Sequence, residues 1–199
     1  MRTKSLLTIA LAAAGMMYGA SVFAADTTPT TGPFGTGKIT FTGTITNSPC
    51  DIAPGDDAIT VSFGQISYRH LKAQGDTSDT KPFSIHLQNC GFDTDTSTPA
   101  NPVGKMSKVT VSFAANTGGV DVANKAYIST GSAQHVGVQL LKNDNSTVIE
   151  PNTLMPGGDA QQLQTGNNEL NFFARVVALA AGVTPGDVNA SVTYTLKYL

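Results

Sequence analysis

The sequence predicts an all-β sandwich, and three observations predict it. First, the stretch from Gly186 to Leu199 alternates without a break, Val188, Ala190, Val192, Tyr194, Leu196 and Tyr198 against Asp187, Asn189, Ser191, Thr193, Thr195 and Lys197. Period two over that length is a β-strand with one dry face and one wet face. Second, an alternating run stands near the other end, with Ile39, Phe41 and Ile45 set against Lys38, Thr40, Thr42, Thr44 and Thr46. Third, the body between them is a series of short β-branched and aromatic runs punctuated by Gly, Asn, Asp and Pro, which is the pattern of a sandwich. The last strand runs to the final residue, so no later hairpin partner is expected for it. Two terminal strands about an all-β body suggest a protein that pairs its edges with other chains.

Taken in order, residues 1–24 read as a targeting signal. Arg2 and Lys4 form a charged start, residues 6–18 are apolar and small, and Val22-Phe23-Ala24 ends the segment at a cleavage position. Cleavage is expected after Ala24, with Ala25 the close alternative. An uncleaved anchor is the weaker reading, because the apolar run is short for a span, and nothing later is expected to insert in a membrane as a helix. Removing 24 of the 199 residues leaves 175, one ordinary domain with a sizeable core. Residues 26–37 are rich in Thr, Pro and Gly and read as a flexible arm. A strand follows over 39–47, with Gly43 offering a hinge between arm and body.

Within the body, residues 59–63 read as a short strand and 66–73 as a brief helix or turn. Residues 82–90 form a strand with Phe83, Ile85 and Leu87 inward and His86 on the wet face. A turn-rich loop covers 93–104, and strands follow at 109–113, 126–129 and 135–141. The turn 142–146 leads into Val148 and Ile149. A longer strand occupies 169–179, where Val176, Val177 and the preceding Phe172 and Phe173 outweigh the helical propensity of 174–181. The terminal strand begins after Pro185-Gly186. There is no internal repeat.

Charge and composition exclude several classes of function. The signal carries two of the twelve basic residues, so the remainder holds ten basic and fourteen acidic residues, a formal charge of −4. Nucleic-acid binding needs a basic footprint that this chain lacks. The two cysteines, Cys50 and Cys90, enter an oxidising compartment, where a disulfide is the default. The loop it would close, about 40 residues, is worth roughly 4 kcal/mol in the chain-entropy model. The rival readings are free thiols or a metal pair, and two cysteines with no neighbouring histidine make a poor metal site.

Catalytic constellations do not assemble. His70, His86 and His135 are scattered and have no ligand spacing. Ser132 lacks the second glycine of a nucleophile elbow and a helix after it. Gly157-Gly158-Asp159 reads as a turn. Asp56-Asp57 and the Asp93/Asp95 pair are too few oxygens for a calcium loop and read as solvated turn acids. No enzyme and no cofactor are expected. A β-sandwich enzyme such as a copper–zinc dismutase would need a histidine-rich cluster.

The stretch 37–50, GKITFTGTITNSPC, resembles the N-terminal segment of chaperone–usher pilins, the fimbrial subunits of Gram-negative bacteria, and most of all the major rod subunits of P-type and type 1 pili. Phe63-Gly64-Gln65 after the first cysteine, Leu87-Gln88-Asn89-Cys90-Gly91 around the second, Gly186 fourteenth from the end and the penultimate aromatic Tyr198 match as well. The resemblance implies an incomplete immunoglobulin-like sandwich that lacks its final strand and is completed by a donor strand from another chain. It implies three segments: a signal over 1–24, a donor-strand arm over 25–42 and a pilin domain over 43–199. It also implies a surface fimbria that supports cell adhesion, with export through the periplasm. A periplasmic chaperone delivers each subunit to an outer-membrane usher, and neighbouring subunits are the other partners.

Residue by residue, the resemblance places the arm's apolar phase at Pro33, Gly35, Gly37, Ile39 and Phe41. Ile39 and Phe41 are expected to fill pockets in the next subunit, at about 1.5–3 kcal/mol each on full burial. Gly35 falls where a side chain would clash, and Pro33 where exchange begins. Phe34, in the opposite phase, is the rival register. The acceptor and chaperone-docking edge is expected along Gly186, Val188, Ala190, Val192, Tyr194, Leu196 and Tyr198. A minor tip adaptor, adhesin or terminator of the same system is the alternative function. An adhesin would carry a second domain, for which the chain is short.

Overall fold

Alternation along the body becomes two antiparallel sheets. The computed structural model describes residues 37–199. Among these residues there are nine strands: β1 (Asp51–Ile52), β2 (Lys81–Cys90), β3 (Lys108–Ala115), β4 (Val120–Asp121), β5 (Ala126–Ile128), β6 (Val136–Leu141), β7 (Gln161–Gln162), β8 (Gly166–Ala178) and β9 (Val192–Tyr198). One sheet has the order β1-β2-β8-β6-β5-β4 and the other β7-β3-β9. The expected all-β sandwich is what forms.

The core lies between the sheets. Ile85 and Leu87 of β2, Leu170, Phe172 and Ala174 of β8, and Val138 and Leu140 of β6 face Val109, Val111 and Phe113 of β3. Phe172 stacks on Phe83 with centroids 5.6 Å apart and meets Phe113 edge-on at 5.3 Å, geometries that suit the ring quadrupoles. Tyr127 crosses from sheet to sheet, its buried hydroxyl donating to the Phe113 carbonyl at 2.8 Å. Burial pushes its phenol pKa far up, so it stays a donor. Cys50 and Cys90 are bonded and buried, joining the start of the body to the end of β2. His86 is exposed, on the wet face of β2.

The run at 174–181 stays extended through Ala178, because both of its edges are used. Val177 pairs with Gly137 of β6 and bridges to Thr77. Ser78 N–H donates to the Val176 carbonyl at 2.9 Å. A helix would forfeit both sets of bonds.

Three expectations need correction. The strand expected over 39–47 is absent; those residues have no regular structure and are exposed. An extended chain becomes a strand only against a partner's backbone, and among the described residues none pairs with it. Residues 37–44 fall outside the compact unit Ile45–Leu199. Residues 59–63 are extended and alternate in burial as expected, but they join no ladder. The brief helix or turn expected within 66–73 does form, as a 3-10 turn over Tyr68–His70 capped by Ser67. The terminal strand begins at Val192 and not at Val188, for a reason that belongs to the site.

Candidate functional site

Between residues 59–66 and residues 183–194 the sandwich is open. Two clefts of about 830 and 750 Å³ share Thr60, Val61, Phe63, Val188 and Asn189 and form one groove. Its floor is the core itself: Phe83, Phe113, Tyr127, Leu140 and Ala174 at one end, Leu71, Val136 and Val176 at the other.

One wall is tied down along a single edge. Asp187 N–H donates to Ser132 Oγ at 2.8 Å and Asn189 N–H to Ser129 Oγ at 3.1 Å. Asp187 O accepts from Ala133 N–H at 3.1 Å, Asn189 O from Thr130 N–H at 2.8 Å and Ser191 O from Asn116 N–H at 3.0 Å. Every second residue is therefore anchored to the loop 129–133 or to Asn116. This irregular pairing, two of its five bonds through side chains, is why the ladder of β9 begins only at Val192. The backbone groups of Val188 and Ala190 have no partner among the described residues. β9 continues the wall as the outer strand of its sheet, paired to β3 alone.

That close approach explains two glycines. A Cβ on Gly131 would lie 2.0 Å from the Asp187 carbonyl, and one on Gly186 would lie 2.4 Å from Ala133 N. Neither position admits a side chain while the wall stays where it is.

The other wall is looser. Ile59, Val61 and Phe63 pack half-buried against the core while Thr60 and Ser62 face out. Among the described residues no backbone hydrogen bond is made by residues 59–66. Among the described residues, then, both walls have N–H and C=O groups without partners beside a cleft with an apolar floor. Such an arrangement can do one thing well, which is to take up an extended segment as an added strand.

The expected site residues are distributed as follows. Val192, Tyr194, Leu196 and Tyr198 point inward and are half-buried, as is Val188; Ala190 and Gly186 are exposed. Burial pushes the Tyr194 and Tyr198 phenols above their usual range. Gly37, Ile39 and Phe41 are described, and Ile39 and Phe41 are 78% and 89% exposed. Pro33, Gly35, the rival Phe34 and the signal segment lie outside the described residues. Three features escaped the sequence reading. The wall 59–66 carried a period-two signal but no hint of its role. Gly131 carried none. Asp56 is no solvated turn acid: its carboxylate accepts from His86 N–H at 2.5 Å, and its carbonyl accepts from the Tyr194 hydroxyl at 2.9 Å. Among the described residues no group of three or more His, Cys, Asp or Glu is placed to hold a metal ion.

Comparison with known proteins identifies the family and the fold. A family model described as fimbrial protein matches residues 39–199. The probable major fimbrial subunit LpfA of Escherichia coli O157:H7 is 35% identical over 192 residues, covering 95% of this chain and 94% of that protein. A fimbrial subunit type 1 of Salmonella typhimurium is 34% identical over 187 residues, covering 92% of each. Among solved structures, a chaperone–usher pilus described in terms of rod uncoiling superposes with a TM-score of 0.65 at 27% identity, over 84% of this chain and 98% of that one. The P pilus rod subunit PapA superposes with a TM-score of 0.58 at 22% identity, over 76% of this chain and all of that one, a likeness of fold.

Proposed function

Because the chain belongs to the fimbrial protein family and is thus a structural subunit of surface fimbriae, not an enzyme, we propose that it polymerises by exchanging β-strands. The groove receives the N-terminal arm of a neighbouring copy, and its own arm, residues 25–42, enters the groove of the next. Residues 1–24 direct export and are removed. A periplasmic chaperone fills the groove first and hands the subunit to an outer-membrane usher. The assembled fibre supports adhesion. The resemblance to a probable major fimbrial subunit favours a place in the shaft over one at the tip.

The observation that carries this reading is the pairing of two incomplete parts. Among the described residues the groove has an apolar floor and edges without partners on both walls, while Ile39 and Phe41 alternate on an exposed segment with no ladder of its own. Each buried polar group left unpaired costs about 1–3 kcal/mol. A domain holds only about 5–15 kcal/mol in all, so a few such groups decide whether the strand-free subunit persists.

The test is to fuse a copy of residues 31–42 after Leu199 through a flexible turn. The melting temperature of the arm-deleted subunit should rise by tens of degrees, and Ile39→Asp with Phe41→Asp in the fused copy should remove most of the gain. A subunit already stable without the fusion, and indifferent to it, would show that the fold is complete by itself.

A further inference from the structure

We propose that Asp56 is a positioning residue for the groove, bracing its loose wall against both sheets and so setting how firmly a bound strand is held. The inference rests on the strand-accepting reading above. The wall 187–191 is held by backbone and hydroxyl bonds to residues 129–133 and 116, so the width of the groove depends on the wall 59–66. That segment makes no backbone hydrogen bond among the described residues; apart from the apolar contacts of Ile59, Val61 and Phe63, it is held at its two ends. The far end is the turn Tyr68–His70 with buried Leu71 behind it. The near end is Asp56.

The way Asp56 is held follows from where β1 stops. The β1–β2 ladder ends at Ile52 opposite Leu87. Ala53 N–H still reaches the His86 carbonyl at 2.9 Å, and then Pro54 and Gly55, the latter at φ +97°, turn the chain away. His86 N–H is left without a backbone acceptor on that side, and the Asp56 carboxylate takes the place of the missing carbonyl. The same oxygen lies 2.9 Å from His86 Nδ1, and His86 Nε2 is 3.7 Å from the Glu169 carboxylate. The carboxylate side chain is only 17% exposed. From the other side of the sandwich, Tyr194 of β9 donates its hydroxyl to the Asp56 carbonyl at 2.9 Å. Burial first, and then the charges of Asp56 and Asp57, keep that phenol protonated. One residue therefore touches a strand of each sheet, at the end of the groove bounded by Asp57 and Tyr194. Without it the wall keeps only the apolar contacts of Ile59, Val61 and Phe63.

The experiment uses the exported subunit and a fluorescent peptide with the sequence of residues 31–42, and measures association, dissociation and thermal unfolding. Asp56→Ala and Tyr194→Phe should each speed peptide release about fivefold, the scale of one lost hydrogen bond. The double variant should release little faster than the single ones, because both changes cut the same brace. Asp56→Asn, whose amide oxygen still accepts from His86 N–H, should stay near wild type. Release rates that stay at wild type while melting temperatures fall would reduce Asp56 to a purely structural role and overturn the proposal, as would effects that multiply in the double variant. A wild-type subunit that binds no peptide would instead overturn the strand-accepting reading, and this inference with it.

Discussion

Residues 38–46 and 192–198 carry the same alternation of apolar and polar side chains, and the fold treats them in opposite ways. The second run is β9, laddered to β3 from Val192 against Ala115 to Tyr198 against Val109. The first has no regular structure and leaves Ile39, Phe41 and Ile45 exposed. Alternation determines which face of an extended chain will seek an apolar surface. It does not supply the neighbour whose backbone turns that chain into a strand. A segment with the pattern and without the neighbour is unfinished, and in a polymerising protein that is a useful condition.

Charging equivalent positions in the two runs is the sharpest way to break the comparison. Leu196→Asp puts a carboxylate opposite Val111 against the core and should cost about 3 kcal/mol or more, since a buried charge finds no partner there. Ile39→Asp and Phe41→Asp should leave the stability of the isolated subunit within about 0.5 kcal/mol yet stop it from joining others. Urea unfolding and the size of assembled polymers report the two quantities separately. Equal destabilisation by both kinds of change would place residues 39–41 in the core of their own domain.

A smaller effect tests how the partnered run is seated. Gly131→Val drives side-chain carbon into the Asp187 carbonyl and should cost about 1–3 kcal/mol by overpacking. Gly158→Ala, where an added carbon meets nothing within 4 Å, should stay within about 0.5 kcal/mol. Chemical denaturation of the two variants checks this, and equal costs would mean that the tight seat of 187–191 does not matter.

The smallest effect concerns the hairpin after β6, a strand whose partner follows at once in the chain. Asp144 accepts from Thr147 Oγ1, Thr147 N–H and Ser146 N–H, with the Thr147 hydroxyl first in weight, and these bonds hold its pKa below the ordinary 3.8. A depressed carboxylate contributes stability above its unfolded pKa and loses it as pH falls through the folded value. Unfolding midpoints should therefore drop below about pH 4 slightly more steeply in wild type than in Asp144→Asn. Parallel pH profiles would remove the turn carboxylate from the account.

Strands that pair inside the body were legible because each carries its own period and its own punctuation. β2, β3, β6 and β8 all fall where the apolar runs stand, and Val176 and Val177 settled the one helical ambiguity. The two-residue strands β1, β4 and β7 left no trace, since two residues hold no period. The groove was half legible. β9 announced itself by alternation, but the opposing wall at 59–66 read as one more strand, because local pattern cannot reveal that a ladder is missing. Gly131 and Asp56 were invisible for a similar reason: the Asp187 carbonyl lies 56 positions on from the first, and the Tyr194 hydroxyl 138 from the second.

The Cys50–Cys90 bond has a mechanical meaning once the chain is imagined under tension. A pull on the segment before Cys50 reaches the sulfur bridge and crosses directly to the end of β2, so the covalent path skips the 39 residues between the two cysteines. The loosely held wall 59–66 lies wholly inside that bypassed loop. Force applied along the backbone at one end of the subunit therefore does not straighten the segment on which a neighbour's strand would lean. The bond acts as a strain relief, much as a clamp on a cable keeps load off the connector behind it.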